Sequence, residues 1–191
     1  MFSVIFPGQG SQIVGMGKEF YDKFDLVKNL FKQADEALDL SLSKIILEGP
    51  KEELDLTANT QPAIFLISYS IFQVIKKEFN IDLHKAKFFA GHSLGEYSAI
   101  ACAGYLDFQD TVKILRIRGE AMQNSVPKGE GGMIAVLGIS IKDIEKILED
   151  NKNNFKVEIA NDNSNGQLVL SGKNVDLEKL IVIFKSNSIK N

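Results

Sequence analysis

Gly91-His92-Ser93-Leu94-Gly95 places a serine between two glycines with the spacing G-x-S-x-G. Lys87-Phe88-Phe89-Ala90 before it reads as a buried strand, and Glu96 to Ala103 after it reads as a helix. In that context the serine sits on a strained strand-to-helix turn with its hydroxyl presented for attack. The glycines are needed sterically, because a Cβ at position 91 or 95 would crowd the neighbouring backbone. A helix beginning at the serine offers free N–H groups that favour developing negative charge. The implied chemistry is nucleophilic catalysis by Ser93.

A serine hydroxyl is a weak nucleophile until a base within about 2.6–3.2 Å takes its proton. The chain has two histidines. His92 adjoins Ser93, and adjacent side chains on an extended segment point apart, so it reads as a packing or hydrogen-bonding member of the turn. His84 lies nine positions before Ser93. At about 3.3 Å per residue that is roughly 25–30 Å away, at the opposite end of the strand, where His84 is a solvated loop residue. The base is therefore expected from residues outside this chain's 191, or from another chain.

A second chemical signal is Arg118, on a helix expected from Asp107 to about Ser125. At 100° per residue Arg118 shares a face with Ile114, Leu115, Ala121 and Met122, while Arg116 points outward among Gln109, Glu120 and Gln123. A guanidinium on an apolar face needs a partner, and its planar fork suits two-point capture of a carboxylate. A structural salt bridge to an internal Asp or Glu is the other reading, and the residues alone leave the two open.

The elements that must position these groups belong to an ordinary globular chain. With 191 residues, 45% hydrophobic and 25% charged, it can bury a sizeable core. A net charge of −3 and the lack of a dense basic run argue against nucleic-acid binding. The single cysteine, Cys102, excludes an internal disulfide and reads as a small buried thiol in an apolar helix. No apolar run approaches the roughly 18 residues of a membrane span, and the first residues lack a signal's basic flank. The expected location is cytoplasmic.

Residues 2–6 read as a strand, followed by the loop Pro7-Gly8-Gln9-Gly10-Ser11-Gln12 and helices at 25–40, at 42–47 and from about Thr60 to Phe79 with Pro62 in the first turn. Strands alternating with helices predict an α/β fold with a parallel sheet, whose active-site loops follow the strands' carboxyl ends. The segment 127–132 reads as a hinge. Beyond it come a strand at 133–137, a helix opened by a capping box at Ser140, strands at 155–160 and 167–171 joined by the Asn-rich turn 161–166, and a helix at 175–184. That order is β-α-β-β-α, one strand short of a ferredoxin-like unit, which would leave an apolar edge near Ile134 to Val136 unpaired. The expected division is residues 1–126, a parallel-sheet hydrolase-like core carrying the serine turn, and 127–191, an incomplete ferredoxin-like subdomain.

Phe6-Pro7-Gly8-Gln9-Gly10-Ser11-Gln12, Thr60-Gln61-Pro62-Ala63, Gly91 to Ala99, Arg118-Gly119 with Met122-Gln123, and Asn161 with Asn163 closely resemble the malonyl-CoA:acyl carrier protein transacylases of bacterial fatty acid synthesis. The resemblance spans essentially the whole chain, with the motifs in order. It implies a ping-pong transfer in which Ser93 takes malonyl from coenzyme A and passes it to the phosphopantetheine thiol of acyl carrier protein. It also implies an oxyanion hole from the N–H groups of Gln9 and Leu94, and Arg118 as the residue that binds the malonyl carboxylate. Gln61, His92, Met122, Asn161 and Asn163 become candidates for the acyl pocket, with turn or cap roles the other reading. No metal and no cofactor beyond the thioester substrate is implied. In the family the catalytic histidine follows the small domain's last strand, beyond position 191, so this chain alone is expected to be inactive. A serine hydrolase of patatin or lipase type and a non-catalytic binding remnant are the competing readings.

Overall fold

The structure is a computed structural model that describes every residue except Val126, Lys128 and Ser188. The chain forms two compact units, Met1–Gln123 and Asn124–Asn191.

In the first unit, β1 (Ser3–Phe6) and β2 (Phe88–Gly91) pair in parallel, Ser3 opposite Phe88 and Phe6 opposite Gly91. A parallel pair needs a crossover connection. Here it runs through helices α1 (Lys18–Lys23), α2 (Asp25–Leu38), α3 (Leu42–Glu48), α4 (Lys51–Leu54) and α5 (Thr57–Lys77), then a 3-10 turn at Leu83–Lys85. The short α1 and α4 escape the periodicity reading because so few residues carry an apolar stripe, and α1 buries none. The register sets the carboxyl ends of both strands side by side. The Gly8–Gln12 loop and the serine turn therefore leave the sheet together, tied by the His92 N–H donating to the Phe6 carbonyl at 3.3 Å.

The core of this unit surrounds α5, whose residues Ala58 to Leu66 are buried without interruption. Val27, Leu30, Phe31 and Ala34 of α2 present one stripe at helical spacing to it. Leu94 and Ala101 of α6 (Leu94–Cys102) and Phe108, Val112 and Leu115 of α7 (Phe108–Gln123) complete the cluster. The Phe65 and Phe108 rings stack at 5.7 Å.

Three expectations about these helices are corrected. Helix α5 begins at Thr57, so Pro62 lies inside it, and its ring nitrogen cannot serve the carbonyl of Ala58 one turn earlier. Arg116 is not directed outward: its Nη1 donates to that carbonyl at 3.4 Å and to Asn59 Oδ1, and its Nε to Glu120 Oε1 at 2.6 Å. Close packing brings the two helices within its reach, since a Cβ at Gly119 would stand 2.6 Å from the Thr57 carbonyl oxygen. Conversely, Ile114 and Met122, expected on the inward face with Arg118, are 38% and 47% exposed.

In the second unit, β3 (Gly131–Leu137), α8 (Ile141–Asp150), β4 (Val157–Ser164), β5 (Gln167–Lys173) and α9 (Asn174–Ser186) follow the expected order. The sheet is antiparallel with strand order β3-β5-β4. Val136, Ile144, Leu168, Leu170, Leu180 and Phe184 form its core. The Ser140 hydroxyl caps α8, accepting from the Asp143 N–H at 3.3 Å. On the other side of β3 the Leu137 N–H donates to the Lys190 carbonyl at 2.9 Å, an isolated bridge. The expected hinge at 127–132 includes Lys128, which lies outside the described residues, and its Gly131 and Gly132 belong to β3. Nor is 161–166 all turn: β4 continues to Ser164, with register shifts at Ile159/Asn161 and Asp162/Ser164, leaving Asn165 and Gly166 as the connection. Pairing with β5 overrides the weak strand preference of Asn and Asp, and the irregularities absorb the misfit. Among the described residues no helix is long and apolar enough to cross a membrane.

Candidate active site

Ser93 joins β2 to α6 with φ 54° and ψ −116°, one of three non-glycine residues at positive φ among those described. Such a backbone costs on the order of 1–3 kcal/mol and persists only where the surroundings enforce it. The enforcement is steric. A Cβ at Gly91 would stand 2.0 Å from the Gly95 carbonyl carbon, and one at Gly95 would stand 2.5 Å from the Phe6 carbonyl oxygen. The α6 backbone is thus pressed onto β2 and the end of β1, and fully buried Leu94 anchors it beneath. The Leu94 N–H, at the first position of α6, has no carbonyl one turn back within the helix.

The neighbouring loop after β1 is held by its own polar side chains. Gln12 Oε1 accepts from the Gly10 N–H at 2.8 Å, Gln12 Nε2 donates to Asp55 Oδ1 at 3.0 Å, and Ser11 Oγ donates to the Gly8 carbonyl at 3.1 Å. Gln9 Nε2 donates to Thr57 Oγ1 at 3.3 Å. Hydrogen bonds first from Lys51 and then from Gln12 hold the Asp55 carboxyl below its ordinary range, so this tether stays ionised at neutral pH.

Arg118 reaches this turn from α7. Its Nη2 donates to Ser93 Oγ at 3.0 Å and its Nη1 to Gln61 Oε1 at 2.5 Å, while its Cζ lies 5.7 Å from the centre of the Tyr97 ring. Gln61, 1% exposed, also directs Nε2 at Met122 Sδ, 3.3 Å away. Among the described residues no ion pair includes Arg118. The guanidinium is held by an amide, a hydroxyl and a ring, none of which neutralises it. A cation 3.0 Å from the serine oxygen favours negative charge there, and an unneutralised fork is suited to an anionic group brought to the same place.

His92 is exposed and lies against the loop after β1, with its Nδ1 2.8 Å from where a Gly8 Cβ would be. His84 sits in the 3-10 turn at the far end of β2, as its spacing implies, but it is not merely solvated: it lies near the Phe72 and Phe89 rings, with Nε2 3.1 Å from Lys76 Nζ. Cys102 is 2% exposed, and burial pushes its thiol up to about 12, which rules it out as a nucleophile near neutral pH. Asn161 and Asn163 stand on β4 of the second unit. The motif reading does not single out Tyr97, although its position four residues after Ser93 on a helix sets it beside the serine turn. Among the described residues no group of three or more His, Cys, Asp or Glu side chains could hold a metal ion.

A sequence profile of the acyl transferase domain matches residues 3–190, and the chain belongs to that family. It is 41% identical over 189 residues to the malonyl CoA-acyl carrier protein transacylase of Haemophilus influenzae, covering 99% of this chain and 60% of that protein. It is 44% identical over 187 residues to the protein of the same name from Bacillus subtilis, covering 97% and 58%. Among solved structures it superposes on the acyl-carrier-protein-S-malonyltransferase of Bartonella henselae with TM-score 0.91 and 42% identity, covering 100% of this chain and 61% of that one. It superposes on a malonyl-transacylase in complex with its type II PKS acyl-carrier protein with TM-score 0.87 and 35% identity, covering 100% and 60%. The chain thus spans about 60% of the length of these relatives.

Proposed function

We propose that the protein transfers a malonyl group from coenzyme A to acyl carrier protein, in fatty acid synthesis and in the cytoplasm, through a malonyl ester on Ser93. The observation that carries this reading is the Arg118 fork on Ser93 Oγ, with no carboxylate paired to it among the described residues. In the first half-reaction Ser93 Oγ attacks the thioester carbonyl and yields its proton to a general base. The N–H groups of Gln9 and Leu94 receive the oxyanion, each donor typically worth about 2.7–4 kcal/mol. The C–S bond then breaks and the coenzyme A thiol leaves with the proton. In the second, the phosphopantetheine thiol gives its proton to the base and attacks the ester carbonyl, the acyl C–O bond to Ser93 breaks as the new C–S bond is kept, and Ser93 Oγ takes the proton back from the base. Throughout, Arg118 holds the free malonyl carboxylate, with Gln61 and Met122 beside it and His92 as a further pocket residue. The base that takes this proton is a histidine other than His84 and His92.

The same reading extends to architecture. The first unit is the opening part of a hydrolase-like parallel-sheet core, assigned to residues 1–126, and 127–191 form a ferredoxin-like subdomain without its last strand. The antiparallel order β3-β5-β4 supports the latter, as does the bridge between Lys190 and Leu137 on the open edge of β3.

The test uses full-length protein with labelled malonyl-CoA and acetyl-CoA. Ser93→Ala abolishes the acyl-enzyme ester seen by mass spectrometry. Arg118→Ala lowers malonyl transfer about 10- to 100-fold, the range for losing a charge-assisted pair, and acetyl transfer far less. Equal losses for both acyl groups would remove the carboxylate role from Arg118. Hydrolysis without transfer to carrier protein would favour a serine hydrolase instead.

A further inference from the structure

We infer that Tyr97 is a positioning residue for acyl-group selection, acting through the guanidinium of Arg118. The inference rests on the proposed carboxylate role of Arg118. Tyr97 lies one turn into α6 from Ser93, half-buried and packed against the core around α5, so its ring is anchored by hydrocarbon. Arg118 Cζ stands 5.7 Å from the centre of that ring. An aromatic face attracts a cation without accepting its N–H groups in the guanidinium plane and without cancelling its charge. A carboxylate in the same place would do both, and would compete with an acidic substrate. The ring therefore helps hold the fork where Gln61 and Ser93 Oγ meet it, while leaving in-plane donors for an incoming carboxylate. A neutral acyl group has no use for the fork, so loss of the ring falls on acidic acyl groups selectively.

The experiment compares kcat/KM for malonyl-CoA and acetyl-CoA in full-length protein carrying Tyr97→Phe or Tyr97→Leu. Tyr97→Leu lowers the malonyl value about 5- to 30-fold relative to acetyl, the span expected for a partly buried cation–ring contact, and Tyr97→Phe stays within about twofold of the unaltered protein for both. A parallel series replaces Tyr97 with phenylalanines of increasing ring fluorination, which keep the volume and weaken the ring's attraction for cations. The malonyl-to-acetyl ratio should fall stepwise along it, and this arm stands even if Tyr97→Leu does not fold. Equal losses for both substrates, a Phe variant as impaired as Leu, or a flat fluorination series would overturn the inference while leaving the Arg118 result intact. Failure of the unaltered protein to form malonyl-Ser93 would sink the acyltransferase reading itself, and this inference with it.

Discussion

Ser93 and Cys102 lie at the two ends of α6, and the backbone and solvent around each decide opposite fates for their side chains. Ser93 is strained, half-exposed and beside a cation; Cys102 is sealed in hydrocarbon with its thiol pushed up to about 12 from an ordinary 9.0 by burial. In the unfolded chain that thiol ionises near its ordinary value, so burial of the neutral form contributes stability fully present below about pH 9 and lost as pH rises toward 12. At pH 8 a colorimetric thiol reagent should therefore leave native Cys102 untouched and titrate one thiol after denaturation. Fast labelling of the native protein at pH 8 would contradict the burial described.

At the scale of elements, the site depends on two close approaches. Helix α6 meets the strand ends at Gly91 and Gly95, and α7 meets the start of α5 at Gly119. The second contact lets two arginines of one helix do different work: Arg118 reaches Ser93 and Gln61, and Arg116 serves the carbonyl that Pro62 leaves without its helical donor. Replacing Arg116 with Leu should remove that donor and the Asn59 bond together, lowering stability by about 1–3 kcal/mol in denaturant titration. Gly95→Ala should be worse, because the added carbon would stand 2.5 Å from the Phe6 carbonyl oxygen and the backbone must shift. Loss of Ser93 labelling by a serine-directed probe, with the circular dichroism of the helices retained, would locate the damage at the turn.

At the scale of the whole molecule, two units carry separate cores, one around α5 and one between the three-stranded sheet and its helices. Leu170, fully buried at the centre of the second, has the volume and packing that make truncation costly. Leu170→Ala should cost that unit about 2–5 kcal/mol, the range for leucine cavities, read as faster amide exchange in β3 and β5. Protection in α5, which rests on its own cluster, should change little. Uniform loss of protection along the chain would mean that the two cores are energetically one.

Short-range physics was legible in the residues alone. The G-x-S-x-G turn, the stripe of α2, the Ser140 cap and the order of elements in the second unit each arise from sterics, period or hydrogen bonding within a few positions. Periodicity also picked out Arg118, but left open whether it faced a substrate or an internal acid. Its partners lie 25 and 57 residues away at Ser93 and Gln61, and only the packing of α7 on α5 and α6 brings them together. The same packing turned Arg116 inward against its helical phase, and pairing with β5 drew Asn161 and Asn163 out of an expected turn into a strand. Local sequence thus determined the serine turn and the elements carrying it. Tertiary structure decided which distant side chains meet that serine, because contacts across dozens of residues depend on how whole surfaces fit rather than on spacing along the chain.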